Sequence, residues 1–234
     1  MKPLQRVSIH PKKLIIYEDP HILVCHKPAG MAVETKQLNQ KDLESILKNY
    51  LSESSDGKSV YLATVNRLDQ PVEGLILFAK TKKAAAELNR QLTQNLITKE
   101  YIALLSAIPK QAEGTLKDYL LKEGKRNLSS VVSPGTENSK LAELSYQLLN
   151  TDDNTACVRI QLKTGRHHQI RAQFAHMGCA LLGDIKYGGT QAANLCLCSF
   201  HLSFIHPVTH KNMDFSVCPD NPMFSKFVTV DNIL

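Results

Sequence analysis

The sequence predicts an α+β fold that has many strands and few helices. Side chains over 155–163 alternate between apolar and polar, as they do in a strand with one buried face. Residues 74–80 form a nearly continuous apolar run, which is typical of a strand buried on both faces. Three segments, 41–51, 82–95 and 167–177, carry apolar residues at helical spacing. Strands are therefore expected to outnumber helices.

Further strands are predicted along the rest of the chain. A hairpin is expected near the amino terminus, because Glu18, Asp19 and Pro20 form a turn between two short β-like runs. The remaining strand candidates are 14–17, 22–25, 97–108, 195–204 and 215–217. Residues 123–140 are polar and rich in Ser, Gly, Lys and Asn, so we expect a loop there. This loop is too embedded to mark a boundary, and 1–234 is predicted to be a single domain.

Composition and charge narrow the class of protein. The chain has 234 residues, of which 43% are hydrophobic and 21% charged, an ordinary globular mixture. Lys and Arg number 28 against 22 Asp and Glu, and a net charge of +6 suits a protein that meets a polyanion. No apolar run approaches the ~18 residues of a membrane helix, and no apolar segment follows the basic start at 1–6. We therefore expect a soluble, cytoplasmic protein without a leader peptide, whose six cysteines are structural thiols.

The first candidate for chemistry is Asp69, at the end of Asn66-Arg67-Leu68-Asp69. This segment precedes the apolar run at 74–80, so the carboxylate should be held at the end of a sheet, where reactive groups often lie. The alternative is a turn residue, because Asp followed two positions later by Pro is common in turns.

The second candidate is Tyr101, on the predicted strand 97–108. Alternation places Lys99 on the same face, so the phenol would lie beside a cation and could act as an acid or a base. The alternative is a packing role, since most strand tyrosines bury the ring and find a partner for the hydroxyl.

The third candidate is the segment 164–171, where a strand turns through glycine into a helix. Arg166, His167, His168 and Arg171 crowd the helix start, although cations there oppose the helix dipole. A bound anion such as phosphate would offset this conflict. Arg171 lies outside the apolar stripe of the helix and could pair with an acid elsewhere in the fold.

A metal site built from His167, His168, His176 and Asp184 is a rival interpretation of the same segment. Adjacent residues on a helix diverge by about 100°, and His168 and His176 are more than two turns apart. Their side chains should not converge on one ion, so we expect no metal site.

The ordered motifs resemble the RluA-type pseudouridine synthases. Their most specific members are Asn66-Arg67-Leu68-Asp69 and Thr164-Gly165-Arg166-His167-His168-Gln169-Ile170-Arg171. The other matching segments, in order, are 16–19, 27–30, 74–80, 99–104, 175–178, 182–184 and 187–188. The resemblance runs from about residue 14 to 220. It implies a central mixed, mostly antiparallel sheet with flanking helices, in two α+β halves around an RNA-binding cleft.

The resemblance also implies roles for individual residues. Asp69 matches the catalytic aspartate, Tyr101 the active-site tyrosine and Arg171 the arginine that pairs with the aspartate. Arg67 matches a residue that fills the base stack when the target uridine leaves it. The family breaks the N1–C1′ bond of uridine and rejoins the uracil through C5, with no cofactor and no metal.

The expected partner is therefore RNA, either rRNA or tRNA, and the expected state is a monomer without membrane association. The residues expected to bind substrate share the cleft motifs; they are Asn66, Arg67, Lys99, Arg166 and His168. The segment that many relatives carry as a separate amino-terminal RNA-binding domain is not expected here. The alternatives are a non-catalytic RNA-binding protein or RNA chaperone on the same fold, and a metal-dependent hydrolase.

Three departures from the family pattern stand out. Asn66 replaces a usual histidine, Val72 and Glu73 replace Thr-Ser, and His167 replaces a usual Thr or Ser. None of these removes a catalytic group, so we expect altered substrate contacts. The sequence offers no explanation for Glu73, an acid expected near an RNA cleft.

Overall fold

The computed structural model describes residues 10–35, 41–53 and 59–228. This part of the chain contains three α-helices, α1 (Leu43–Glu53), α2 (Lys82–Thr93) and α3 (Gln169–His176). Its strands are β1 (Ile15–Glu18), β2 (Ile22–Lys27), β3 (Ala63–Thr64), β4 (Glu73–Ala79), β5 (Thr98–Leu105), β6 (Glu113–Glu123), β7 (Leu128–Val132), β8 (Lys140–Asp152), β9 (Thr155–Leu162), β10 (Leu197–Ile205) and β11 (Asn212–Ser216). Residues 1–6, on which the expectation of no leader peptide rests, lie outside the described residues.

The strands form one sheet in the order β1-β2-β4-β10-β5-β9-β8-β6-β7, with β3 added to β4 and β11 to β10. Among the described strands, β4 and β10 pair in parallel, and every other pair is antiparallel. The predicted α+β fold with a mixed, mostly antiparallel sheet is confirmed. No helix within these residues is both long and apolar enough to cross a bilayer.

Strand β4 explains why the run at 74–80 lacks alternation. Ile76 and Phe78 face one hydrophobic cluster, which includes Leu43 and Leu47 of α1. Leu75 and Leu77 face a second cluster, which the first turns of α2 cover. A strand with helices on both faces has no solvent side, so all its positions can be apolar.

Gly74 makes the close contact between β4 and β10 possible. Its φ is +121°, and a Cβ at this position would lie 2.3 Å from the carbonyl oxygen of Ser199. A side chain would therefore collide with rigid backbone as well as strain the dihedral. This contact fixes the start of β4 and, with it, the loop that carries Asp69.

Helix α3 packs against one face of the sheet. Ile170 and Phe174 pack into the same cluster as Tyr101 of β5 and Ile160 of β9. Phe174 is fully buried, and complete burial of such a side chain contributes about 1.5–3 kcal/mol. This packing directs the amino-terminal end of α3 toward the Asp69 loop.

The expected loop at 123–140 is partly wrong: 124–127 and 133–139 are turns and irregular chain, but a strand separates them. These residues contain all of β7, the last residue of β6 and the first of β8. Strands β6 and β7 form a hairpin at the edge of the sheet, where most of their side chains stay partly or fully exposed. Such strands need not be apolar, so a polar composition concealed them.

Candidate active site

A cleft of about 1000 Å³ lies between the Asp69 loop and the segment that leads into α3. Asp69, Tyr101, His168 and Arg171 all line it. The sequence separates these residues by up to 102 positions, and the sheet brings them to one place because β4 and β5 both flank β10.

A buried lysine is hydrogen-bonded to the loop that carries Asp69. Lys27, at the end of β2, is fully buried and donates to the carbonyl oxygens of Pro28, Met31 and Gln70 at 3.0, 2.8 and 3.1 Å. Gly30 adds a backbone hydrogen bond of 2.9 Å to the carbonyl of Gln70. Burial lowers the pKa of Lys27 to about 8, against the opposing effect of the Asp69 charge. The residue next to Asp69 is thus tied to a second strand.

Arg171 contacts Asp69 but is held mainly by Asp184. Its Nη1 lies 3.3 Å from Asp69 Oδ2, whereas Nε and Nη2 donate to Asp184 at 2.7 and 2.8 Å. Both Arg171 and Asp184 are buried, and the Asp69 side chain is 27% exposed. Burial alone would lower the pKa of Arg171, but the two carboxylates outweigh it and raise the pKa. The expected pair of Arg171 with Asp69 is therefore present at 3.3 Å, and Asp184 is a second and closer partner that the sequence did not indicate.

Tyr101 is buried in the floor of the cleft. Burial, reinforced by repulsion from the Asp69 charge, raises its pKa well above the ordinary value. The phenol therefore stays protonated at neutral pH, and it can donate a hydrogen bond or a proton near the carboxylate.

His168 reaches Asp69 from the other side. It precedes α3 in a left-handed conformation, with φ 51° and ψ 27°, and its Nε2 lies 3.5 Å from Asp69 Oδ2. Its Nδ1 lies 2.9 Å from the hydroxyl of Tyr187. The ring of His167 stacks on that of His168, with centroids 3.8 Å apart. A non-glycine residue with positive φ is uncommon and is often found at functional sites.

Asn66, another residue expected to bind substrate, is hydrogen-bonded to the backbone of β4. Asn66 is buried, and its amide donates to the Leu75 carbonyl at 3.1 Å and accepts from the Leu77 amide at 2.8 Å. Asn66, which replaces the usual histidine, lines the cleft. Its amide group is nevertheless used to join the Asp69 loop to β4.

The three cations expected to bind substrate all line the cleft and remain available for an anion. Arg67 is exposed, and Lys99 has no ion-pair partner among the described residues; burial lowers the pKa of Lys99. Arg166 is exposed, and its Nε donates to the Leu141 carbonyl at 2.8 Å, which orients the guanidinium.

The sequence model of the family described as RNA pseudouridylate synthase matches residues 21–176. The chain belongs to the RNA pseudouridine synthase family. The match covers two-thirds of the chain and includes Asp69, Tyr101 and Arg171.

Relatives and solved structures agree with this family. Ribosomal large subunit pseudouridine synthase C of Rickettsia prowazekii is 33% identical over 178 residues, 76% of this chain and 57% of the relative. Ribosomal large subunit pseudouridine synthase D of Zymomonas mobilis is 30% identical over 238 residues, 93% of this chain and 73% of the relative. The chain thus spans little more than half of the Rickettsia protein. Human RNA pseudouridylate synthase domain containing 4 has the same fold, with a TM-score of 0.74, 20% identity and coverage of 90% and 91% of the two chains.

Glu73 does not line the cleft. Its carboxylate is buried at the start of β4 and accepts the backbone N–H groups of Asp220 and Asn221 at 3.1 and 3.3 Å. Burial raises its pKa. Glu73 therefore anchors the segment after β11, and the expectation that it lies near the RNA cleft is wrong.

The rival metal interpretation finds no support in side-chain placement. The described side chains that come close enough to share an ion are His26, Glu73 and Asp220, away from the cleft. Asp184, one of the acids in that interpretation, is engaged with Arg171.

Sequence reasoning gave no active-site role to Asp184, Tyr187 or Lys27. Asp184 and Tyr187 stand in the motif series at 182–184 and 187–188, which was a usable signal. Arg171 also lies over the Tyr187 ring, 5.1 Å from its centroid. The arginine is therefore enclosed by two residues of one short segment.

Proposed function

We propose that this chain converts uridine to pseudouridine in structured RNA, with Asp69 as the catalytic carboxylate. The observation that carries the proposal is the placement of Asp69 in the cleft, partly exposed, with Arg171 Nη1 at 3.3 Å. The guanidinium places a positive charge beside the carboxylate and stabilises the carboxylate anion by a charge-assisted contact. Ionised Asp69 can attack or stabilise C1′ of the ribose.

The reaction is an isomerisation and needs no net change of atoms. The N1–C1′ bond breaks, the uracil turns, and a C5–C1′ bond forms; the hydrogen on C5 leaves and N1 gains a proton. Asp69 stabilises positive charge at C1′ or bonds to it transiently. Tyr101, protonated and buried beside the carboxylate, can donate a hydrogen bond or a proton to the uracil where water is excluded.

RNA must present its uridine to a recessed carboxylate, so the base has to leave the stack. Arg67, Lys99 and Arg166 can contact the phosphates on either side of it. Lys122, an exposed cation of β6, lines the same cleft and extends this set. We propose ribosomal RNA as the first substrate to test, because the named relatives are ribosomal large subunit synthases; transfer RNA is the second.

We also propose that the chain acts in the cytoplasm, where ribosomal RNA is found, and as a monomer. Asp69, Tyr101, Arg171 and Asp184 all come from one chain and one continuous sheet. A second copy is not needed to complete the cleft, so one chain can serve as a single catalytic domain.

The test is pseudouridine mapping on ribosomal RNA and transfer RNA transcripts incubated with the purified protein. We expect modification by the wild type and none by Asp69→Asn, with RNA affinity nearly unchanged because no phosphate contact is lost. Asp214→Asn is the matched control, since Asp214 is an exposed carboxylate that pairs with His201 outside the cleft. Turnover by Asp69→Asn under single-turnover conditions would contradict the assignment.

A further inference from the structure

A continuous set of contacts runs from the edge hairpin to the catalytic carboxylate. The backbone N–H of Ser129, in β7, donates to the Tyr187 hydroxyl at 2.8 Å. The same hydroxyl lies 2.9 Å from His168 Nδ1, and His168 Nε2 lies 3.5 Å from Asp69 Oδ2. The three contacts therefore connect β7, the segment after α3, the residue before α3 and the loop before β4.

The position of the hydrogens along this path follows from the number of donors. The Tyr187 oxygen accepts the Ser129 N–H, which leaves its own hydrogen available for an acceptor on the other side. Among the described residues, His168 Nδ1 is the nitrogen or oxygen within hydrogen-bond distance that can accept it. When the hydroxyl donates to it, His168 Nδ1 is unprotonated.

His168 is also neutral. Burial, aided by the nearby charge of Arg171, lowers its pKa to about 3. A neutral imidazole carries one hydrogen, and because Nδ1 is an acceptor this hydrogen is on Nε2. The N–H therefore faces the carboxylate of Asp69.

A second histidine holds the first in place. His167 stacks on His168, its Nδ1 lies 2.9 Å from Ser129 Oγ, and its Nε2 lies 3.1 Å from Asn127 Oδ1. Asn127 is in the turn between β6 and β7, so the hairpin contacts both ring nitrogens of His167. The imidazole of His168 cannot easily rotate away from Asp69.

We propose that Tyr187 fixes His168 as the Nε2–H tautomer, and that His168 thereby orients Asp69 as a positioning residue. This inference rests on the proposed function and assigns His168 a role other than the substrate contact expected from the sequence. A distance of 3.5 Å is longer than a hydrogen bond of ordinary length, and such contacts tighten when substrate binds. Asp69 then has two donors, Arg171 and His168, that fix its orientation for attack at C1′.

The first experiment is imidazole ¹⁵N NMR of the full chain, which needs no activity. We expect His168 to show a protonated Nε2 and an unprotonated Nδ1 at neutral pH. In Tyr187→Phe, the donor to Nδ1 is lost, and we expect a mixture of the two tautomers. An Nδ1–H tautomer or an imidazolium in the wild type would overturn the proposal, as would an unchanged tautomer in Tyr187→Phe.

The second experiment compares single-turnover rates with RNA affinity. We expect Tyr187→Phe to lower the rate roughly tenfold, the effect of losing about one hydrogen bond, with affinity within about twofold. Tyr61→Phe, a change of an exposed tyrosine, is the matched control. His168→Gln, which keeps an N–H donor, should retain more activity than His168→Ala.

Equal rates in Tyr187→Phe and wild type, or a loss of affinity as large as the loss of rate, would overturn the positioning role. A wild type without pseudouridine activity would instead contradict the proposed function, and the tautomer of His168 would still decide the hydrogen-bond path.

Discussion

Arg171 divides its guanidinium between two carboxylates, with Nε and Nη2 on Asp184 at 2.7 and 2.8 Å and Nη1 near Asp69 at 3.3 Å. The bidentate pair positions the arginine, since this geometry is specific to a guanidinium. Asp184 therefore fixes the position of the guanidinium that contacts Asp69. Among the described residues, Asp69 Oδ1 has no hydrogen-bond partner. In the proposed reaction, Oδ1 is the carboxylate oxygen that would approach C1′.

Asp184→Asn should destabilise the protein and slow the reaction. Asp184 is buried, and removing one charge of a buried pair leaves the other uncompensated, which costs about 3–5 kcal/mol. Urea unfolding measures the loss of free energy. The matched control is Asp152→Asn, because Asp152 forms an exposed pair with Lys226 at 3.4 Å and such pairs contribute under about 1 kcal/mol. Equal losses in the two variants would contradict a structural role for the buried pair.

Arg171→Lys should not behave as a conservative change. A single ammonium cannot bind Asp184 in the bidentate geometry and also reach Asp69. We expect the single-turnover rate to fall by more than about tenfold, the equivalent of one hydrogen bond to a charged group. Arg126→Lys, in an exposed pair with Glu123, is the control. A rate close to that of the wild type would show that charge alone suffices at this position.

The sequence predicted elements best where burial imposed a periodic pattern. The alternation over 155–163 became β9, and the apolar run at 74–80 became β4. It gave no strand for β6, in which Leu120 is the one buried position. It also gave none for β8, although Ala142, Leu144 and Tyr146 are buried at alternate positions there. A strand that is mostly exposed carries little apolar signal, and in β8 the signal covers less than half of the strand.

In the site, the sequence identified the residues but not all their partners. Asp69, Tyr101 and Arg171 converge on the cleft, as the motif series predicted. The motif series included Asp184 but did not identify Arg171 as its partner, because spacing along the chain does not give the distance between two side chains. Asn66 shows the converse limit, since a polar residue in a motif can be committed to the backbone.

The stability of the protein should fall as pH drops from about 6.5 toward 3, partly because of His168. The ordinary pKa of histidine is 6.5, and burial lowers that of His168 to about 3 in the folded state. Over this range the unfolded chain binds a proton that the folded chain does not, so unfolding becomes more favourable. The contribution is at most about 1.4 kcal/mol per pH unit. Urea titrations across this range should show a shallower slope for His168→Gln. They should show no change for His176→Gln, because His176 is exposed at the end of α3. Identical slopes in His168→Gln and wild type would contradict a buried neutral imidazole.

RNA affinity should depend only weakly on salt. The cleft presents four cations without a carboxylate partner among the described residues, and these are Arg67, Lys99, Lys122 and Arg166. Arg171 is neutralised by Asp184 and Asp69, and Lys163 pairs with Glu143 at 2.8 Å. At ~0.7–0.9 released counterions per contact, the slope of log affinity against log salt should be about −2 to −4.

Replacing one of these cations should change the slope by a known step. Arg166→Gln should make it shallower by roughly 0.7–0.9, whereas Lys163→Gln should change it less because its charge is already paired.

A footprint of so few phosphates can recognise only a local structure, such as a loop that presents an unstacked uridine. We therefore expect a short stem-loop from the true substrate to be modified almost as fast as the full RNA. A steep slope that Arg166→Gln leaves unchanged, together with loss of turnover on the stem-loop, would place the main RNA contacts outside the cleft.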